Sequence, residues 1–565
     1  MLLVLVVLHV ASTCRIFALL RQASATAPPT SSGPENGVDT PAAISWLRDF
    51  HVRVGSAPLK EATTLWHQKM AMQSDVHLKW LDSLRAFAAA CDGVCTVGTM
   101  YSGSDVVQHA LEAHSNFWLH TFGIELRFVF KFAAERNEEK QQFLINHTDV
   151  EFVFGDCDDC NETMATDLRT GKKVPIPWVH WLWAGFPCTS KSKANNKRSS
   201  NRDCIRSGTE ATGEGFVKVR QVAVSLMPSL LTLENVSELA KGTPNQTDAD
   251  FICQSLSEGG FWAKHFTFDA SEYGSKARRE RTYWQAVADL IGQCGDLGMF
   301  LDRLLVACRL SDQEFQISDF ITTDETLLEH HLSAMAADRE ARERIDPVYK
   351  DDHNEFYRAV GLTWPPILRA RHASTEFDYR GLTERMCQLV VFLDFLYPVP
   401  NEEVNSSGKR YDFADIGQSV TRLIKCKATD SKEWHNPWSI VMPTLTGHSV
   451  LAMREAFLDA SGGLQVKVRA LTGYECMSLV GWHSTFYKDR PLPRQSVLSS
   501  LAGNAFSAFA CGVFALLGPA AYSYGQTAAL ASRESGQPAV GEHDGSSADE
   551  DLLSESPGSH VSVES

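Results

Sequence analysis

One cysteine in this 565-residue chain sits where covalent chemistry is done: the apolar run Trp178 to Ala184 leads directly into Gly185-Phe186-Pro187-Cys188. A thiol attacks as its thiolate, and cations nearby favour that form. The following stretch, Thr189 to Arg206, carries Lys191, Lys193, Lys197, Arg198, Arg202 and Arg206 against one acid, Asp203. Cys188 is therefore expected to have a pKa below the free-thiol value of about 8.5. Taken alone, the same pattern also describes a structural cysteine beside a solvated basic loop.

A second constellation has the chemistry of a nucleoside site. The run Val94 to Met100 ends in Tyr101-Ser102-Gly103-Ser104-Asp105, a turn of small residues through which a backbone can approach a ligand. Glu135 closes the next apolar run, where a carboxylate can accept from both ribose hydroxyls. Asp156, in Phe154-Gly155-Asp156, closes a third and can accept from an adenine amino group. Each acid alone reads as a solvated strand end. Together with the turn they point to an adenosyl cofactor.

These residues require elements to hold them. Short apolar runs at Val94 to Tyr101, Leu126 to Phe132, Phe152 to Phe154, Trp178 to Ala184 and Leu230 to Leu233 alternate with helical patterns, one starting near Val106. Strands alternating with helices predict an α/β fold with a mostly parallel sheet, whose ligands bind beyond the carboxyl ends of the strands. Amphipathic patterns around Trp46 to Phe50 and Leu78 to Ala90 predict leading helices, and Asp319 to Arg344 reads as an acidic helical stretch. No internal repeat is present.

The order of the short motifs then becomes specific. Phe186-Pro187-Cys188, Leu233-Glu234-Asn235-Val236, Arg279-Glu280-Arg281, Arg469-Ala470-Leu471-Thr472-Gly473-Tyr474-Glu475 and Gly503-Asn504-Ala505-Phe506 follow one another as in the C5-cytosine DNA methyltransferases, which this chain resembles from about residue 94 to 520. The resemblance implies S-adenosyl-L-methionine as cofactor and an α/β, mostly parallel sheet of the S-adenosylmethionine-dependent methyltransferase type, with a smaller target-recognition domain. It implies Cys188 as nucleophile, Glu234 as the acid at the base, and Arg279 and Arg281 as the clamp. Tyr101, Ser102, Gly103, Glu135, Asp156 and Asn504 become the cofactor residues. Two positions depart from the family pattern. Its first motif reads Phe-x-Gly-x-Gly-Gly, whereas Tyr101 opens this one and Asp105-Val106 replace the later glycines. Ala277 stands where Gln is usual.

On this reading residues 1–40 form an apolar leader and linker, 41–90 a helical segment, 91–300 the catalytic and cofactor-binding domain, 301–460 the target-recognition region, 461–525 a return to the catalytic domain, and 526–565 an acidic disordered tail. The expected partner is double-stranded DNA, with Ser190 to Arg206 closing over a flipped base, and the expected compartment is the nucleus. An organelle is the alternative if the apolar run Met1 to Val10 is a targeting segment. Two other functions fit the same motifs: methylation of tRNA, and a non-catalytic nucleic-acid-binding regulator.

Composition bounds these readings. At 44% hydrophobic residues the chain can bury a large core, and a net charge of -16 means that any DNA-binding face must be locally basic. The 14 cysteines are scattered, which favours reduced thiols. Cys157-x-x-Cys160 lacks the second pair of a zinc site, so no metal is expected.

Overall fold

The computed structural model describes residues 57–534 apart from 162, 193–202, 289–294, 312, 341–374, 401–403, 405–407, 418–435, 448 and 483–492. The expected helix around Trp46 to Phe50, the leader, the acidic tail and the cations Lys193, Lys197, Arg198 and Arg202 lie outside the described residues.

The apolar runs become strands of one sheet. Val94–Met100 (β1), Arg127–Ala134 (β2) and Phe152–Phe154 (β3) pair in parallel. Met164–Thr166 (β4) and Lys173–Pro175 (β5) form a separate antiparallel ribbon. Trp181–Ala184 (β6) and Leu230–Val236 (β7) continue the parallel set, and Phe261–Asp269 (β8) and Glu280–Ala288 (β9) add antiparallel strands at one edge. The order is β3-β2-β1-β6-β7-β9-β8, with β1 at the reversal point. All seven residues of β7 are buried, as in a sheet covered on both faces. β7 runs three residues past the expected Leu233 because β9 carries the ladder on through Glu234↔Tyr283 to Val236↔Arg281. Conversely, Trp178 is half-exposed and the chain joins the sheet only at Trp181.

The main helices are Ala57–Ala71 (α1), Ser74–Ala90 (α2), Val107–Phe122 (α3), Glu210–Leu226 (α4), Asp248–Glu258 (α5), Gly295–Ala307 (α6), Glu384–Leu396 (α7), Gln495–Asn504 (α8) and Ala508–Glu534 (α9). A further helix, Glu325–Glu340, falls within the acidic stretch. α1 and α2 belong to the main core. Trp66, Trp80 and Trp118 are fully buried there, and Trp80 Nε1 donates to the Leu516 carbonyl of α9 at 3.0 Å. α9 comes this close because it is glycine-notched: a Cβ on Gly512 would fall 2.5 Å from the Trp66 ring, and one on Gly518 2.3 Å from Trp181. α6 also packs on α9.

A second sheet, β10 (Thr375–Asp378), β11 (Lys409–Asp415), β12 (Leu451–Leu458) and β13 (Leu464–Ala470), is ordered β10-β13-β12-β11. It has its own core with α7, built on Leu389, Phe392, Leu393, Val466 and Val468. Within it the buried Arg454 pairs with Asp412 at 2.8 Å and Asp394 at 3.2 Å, beneath the Trp438 ring. β13 lies beyond the expected boundary at 460. Among the described residues no single helix is long and apolar enough to cross a membrane.

Candidate active site

Parallel pairing brings the singled-out residues together. Met100 lies opposite Ala184, and Ala184 opposite Leu233, so the turns after β1 and β6 and the last residues of β7 share one end of the sheet. Gly185 N–H donates to the Met100 carbonyl at 3.4 Å. A Cβ on Gly185 would lie 3.1 Å from the Phe506 ring and 3.5 Å from Glu234 Oε2. The absence of a side chain at 185 thus lets the acid and the closing motif approach the nucleophile loop.

The Pro187-Cys188 loop is fixed by residues that its own sequence does not reveal. Asn235 Nδ2 donates to the Phe186 carbonyl at 3.0 Å, while Asn235 Oδ1 accepts from Val236 N–H at 2.8 Å. Beneath the loop, a Cβ on Gly215 of α4 would come within 2.6 Å of Pro187 Cδ, and one on Gly213 within 1.9 Å of the Cys204 carbonyl oxygen. Glycines 213 and 215 in one helix were the available signal.

Cys188 itself departs from expectation. Its thiol is pushed above the ordinary range, not below it: burial is the largest cause, Arg281 and Arg279 oppose it, and Glu234 adds to it. The described cations of the following loop are engaged elsewhere. Lys191 Nζ lies 2.6 Å from Asp248 at the start of α5, and Arg206 Nε 3.8 Å from the same carboxylate. The cations that act on the thiol are Arg281 of β9 and Arg279 just before it.

Glu234 is 8% exposed, with Arg281 Nε 3.1 Å and Arg279 Nη2 3.8 Å from Oε1. The Arg281 contact is a charge pair without hydrogen-bond alignment, so Oε1 keeps an unused bonding position. Arg279 is 5% exposed and donates to the Gly503 carbonyl at 3.2 Å, tying the clamp to the closing motif. At the position of the missing Gln, Ser275 Oγ braces the segment: it donates to the Ala277 carbonyl at 3.0 Å and accepts from Ala277 N–H at 3.2 Å.

The turn after β1 is shaped by Glu135, whose Oε2 accepts from Gly103 N–H and Oε1 from Asn137 N–H, each at 3.0 Å. Ser102 Oγ lies 2.7 Å from Thr99 Oγ1. Tyr101, Gly103 and Asp105 all have φ near +55°, a conformation unusual for the two non-glycine residues. Asp156 accepts from Asp158 N–H at 3.2 Å and lies 3.7 Å from Arg136. Asn504 ends α8, donates to the Ser500 carbonyl at 2.9 Å and packs against Gly447. The turn also holds buried polar atoms that the protein leaves unpaired, Ser104 Oγ and both oxygens of Asp105. Such atoms fit a polar ligand with cationic groups. Among the described residues no three or more His, Cys, Asp or Glu side chains gather as a metal site.

Comparison with known proteins agrees with this arrangement of motifs. Residues 96–508 match the C-5 cytosine-specific DNA methylase family. Over 124 residues the chain is 29% identical to the type II methyltransferase M.Bsp6I of Bacillus sp. (strain RFL6), covering 22% of this chain and 37% of that protein. Over 122 residues it is 27% identical to the type II methyltransferase M.NlaX of Neisseria lactamica, covering 22% and 36%. These matches span little more than a third of either relative. Similar solved structures include the S. pombe Dnmt2 methyltransferase, at 13% identity and a TM-score of 0.36 over 75% of this chain and 98% of that one. The Entamoeba histolytica methyltransferase EhMeth follows at 11% identity and a TM-score of 0.34, over 74% and 96%.

Proposed function

Because the chain belongs to the C-5 cytosine-specific DNA methylase family, whose cofactor is S-adenosylmethionine, we propose that it methylates C5 of cytosine in DNA through a covalent bond from Cys188 to C6. The observation that carries this reading is the placement of Cys188 and Glu234 at neighbouring strand ends, with Arg279 and Arg281 against the acid.

Cytosine C5 is a poor nucleophile. Adding the Cys188 thiolate to C6 moves an electron pair onto the ring, and Glu234 relieves the charge by sharing a proton with N3. Arg281 holds the carboxyl in place and presents its guanidinium to the O2 side of the base. When bound, S-adenosylmethionine supplies an electrophilic methyl group beside C5; Ser102, Gly103, Glu135 and Asp156 line the strand ends that would hold it. Loss of the C5 proton to a base then restores the C5–C6 double bond, breaks the C6–S bond and releases Cys188 as the thiolate. None of this can occur inside a duplex, so the target base is flipped out at a cost of about a few kcal/mol. Support for DNA as substrate comes from the interval between Arg281 and Arg469, which is long enough to fold a recognition sheet of its own.

The test uses duplex DNA carrying 5-fluorocytosine, whose fluorine cannot leave as the C5 proton does. A denaturation-resistant protein-DNA adduct is expected only with cofactor. Cys188→Ala abolishes it, and Glu234→Gln slows it by roughly 10²-fold. Adducts on 5-fluorocytosine tRNA but not on DNA would move the substrate to RNA. Methylation by Cys188→Ala at the wild-type rate would overturn the covalent route.

A further inference from the structure

Buried polar atoms without partners gather on one side of the cofactor turn. Ser104 and Asp105 are 0% and 1% exposed; Ser104 Oγ and both carboxylate oxygens of Asp105 lack a partner in good hydrogen-bond geometry, and the Thr99 hydroxyl is the neighbour that favours the Asp105 carboxylate. Ser507, just before α9, is likewise 1% exposed with its hydroxyl unpaired. One helical turn further, the Cys511 thiol is raised by burial and by two acids, Glu234 and Asp105. The Asp105 carboxylate, at the end of the turn, and Glu234, the acid assigned to the base, therefore both act on the same thiol, which puts the two within electrostatic reach of one buried group.

The charged and titratable groups around Asp105 do not satisfy it. Cys511, Glu234 and Arg279 lie on the α9 side, and Glu135 holds the nearby Gly103 amide. Arg279, the cation among them, is committed to Glu234 and to the Gly503 carbonyl. The Thr99 hydroxyl opposes burial only in part. Family members resembling this chain have glycine here, so the carboxylate is a feature of this sequence, held at a left-handed φ of 54° that glycine would adopt freely.

We infer that Asp105 is the counter-ion of the cofactor's sulfonium and makes the site prefer the methyl donor to its demethylated product. The inference rests on the cofactor reading of the turn and is independent of the covalent step. The donor carries a positive sulfur; the product is a neutral thioether. Methyl transfer thus removes the partner of a buried carboxylate, and an unpaired buried charge is unfavourable. Asp105 then regains a proton, as its burial-raised pKa of about 7 in the ligand-free protein allows. The consequence is weakened product binding at the moment the product must leave.

Calorimetric titration of the full chain with S-adenosylmethionine and with S-adenosylhomocysteine tests this. Asp105→Asn removes the charge at nearly constant shape. It is expected to weaken the donor by about ten-fold or more while changing the product by less than about three-fold, as for loss of one charge-assisted contact. Asp105→Ser repeats the measurement should Asp105→Asn fold poorly. Unchanged donor affinity, or equal losses for donor and product, would overturn the sulfonium assignment. If the wild-type protein binds neither compound, the cofactor reading of the turn fails first.

Discussion

Cys188 and Glu234 work against each other before any substrate arrives. Burial raises the thiol, Glu234, the acid proposed to serve the base, raises it further, and Arg281 and Arg279 recover part of the loss. The thiolate is therefore scarce at neutral pH, and thiol reactivity should climb as pH rises past the ordinary thiol range. Iodoacetamide alkylation of the Cys188 peptide, followed by mass spectrometry against pH, should give a midpoint above that of a free thiol. Arg281→Gln should move this midpoint up and Glu234→Gln should move it down. Both variants moving it the same way, or a wild-type midpoint below the free value, would refute this account. The candidate residues Pro187-Cys188, Glu234 and Arg281 were legible in the sequence by their types and order, and the structure sets Arg281 against Glu234 and both within electrostatic reach of Cys188. The direction of its pKa was not, because it depends on how deeply the loop is buried and on which cations face it. Lys191 and Arg206 follow Cys188 in sequence yet are taken up by Asp248, while the effective guanidiniums are Arg281 of β9 and Arg279 just before it.

At the scale of elements, the strands that present the site were largely readable from apolar runs, and their ends were set by partners. β7 extends to Val236 because β9 pairs with it, a relation between segments some forty residues apart that period-2 patterning does not encode. The Pro187-Cys188 loop depends on α4 in the same way. Gly215→Ala adds a methyl that would meet Pro187 Cδ at 2.6 Å, displacing Pro187-Cys188. Alanine is favoured over glycine inside a helix by up to ~1 kcal/mol, which offsets part of an overpacking cost of about 1–3 kcal/mol. Stability should therefore change by at most about 2 kcal/mol. Adduct formation should fall by roughly 10²-fold, the scale on which a shift of about 1 Å costs a reacting group its geometry. Thermal denaturation and trapping on 5-fluorocytosine DNA measure the two separately. A variant that traps DNA at the wild-type rate would show that the Gly215 contact does not position the loop.

At the scale of the whole molecule, helices from both ends of the described chain close one core, and this core stores an acid sensitivity. His67 and His114 are fully buried among Trp66, Trp80 and Trp118, with Trp118 Nε1 donating to His67 Nε2 at 3.3 Å, a bond that only a neutral ring can accept. Burial holds both rings below the ordinary histidine range, His114 down to about 3. The unfolded chain protonates these rings as pH falls through about 6.5 and the native chain does not, so stability is full above that pH and is lost below it, by up to ~1.4 kcal/mol per pH unit for each ring. Asp105 acts in the opposite direction. Its pKa of about 7 lies above the unfolded value of 3.8, so the native state binds its proton first and gains stability as pH falls from 7. Paired carboxylates such as Glu475 and Asp250 are held below their usual range and contribute losses only in more acidic solution. His67 and His114, joined by His331, which burial lowers to about 4, outweigh the one aspartate and leave a net loss between about pH 6.5 and 4.5. Thermal denaturation across this window should show a falling transition temperature for the wild type, a shallower fall for His114→Phe and a steeper one for Asp105→Asn. Parallel curves for all three proteins would mean that neither the buried imidazole nor the buried carboxyl governs the acid response.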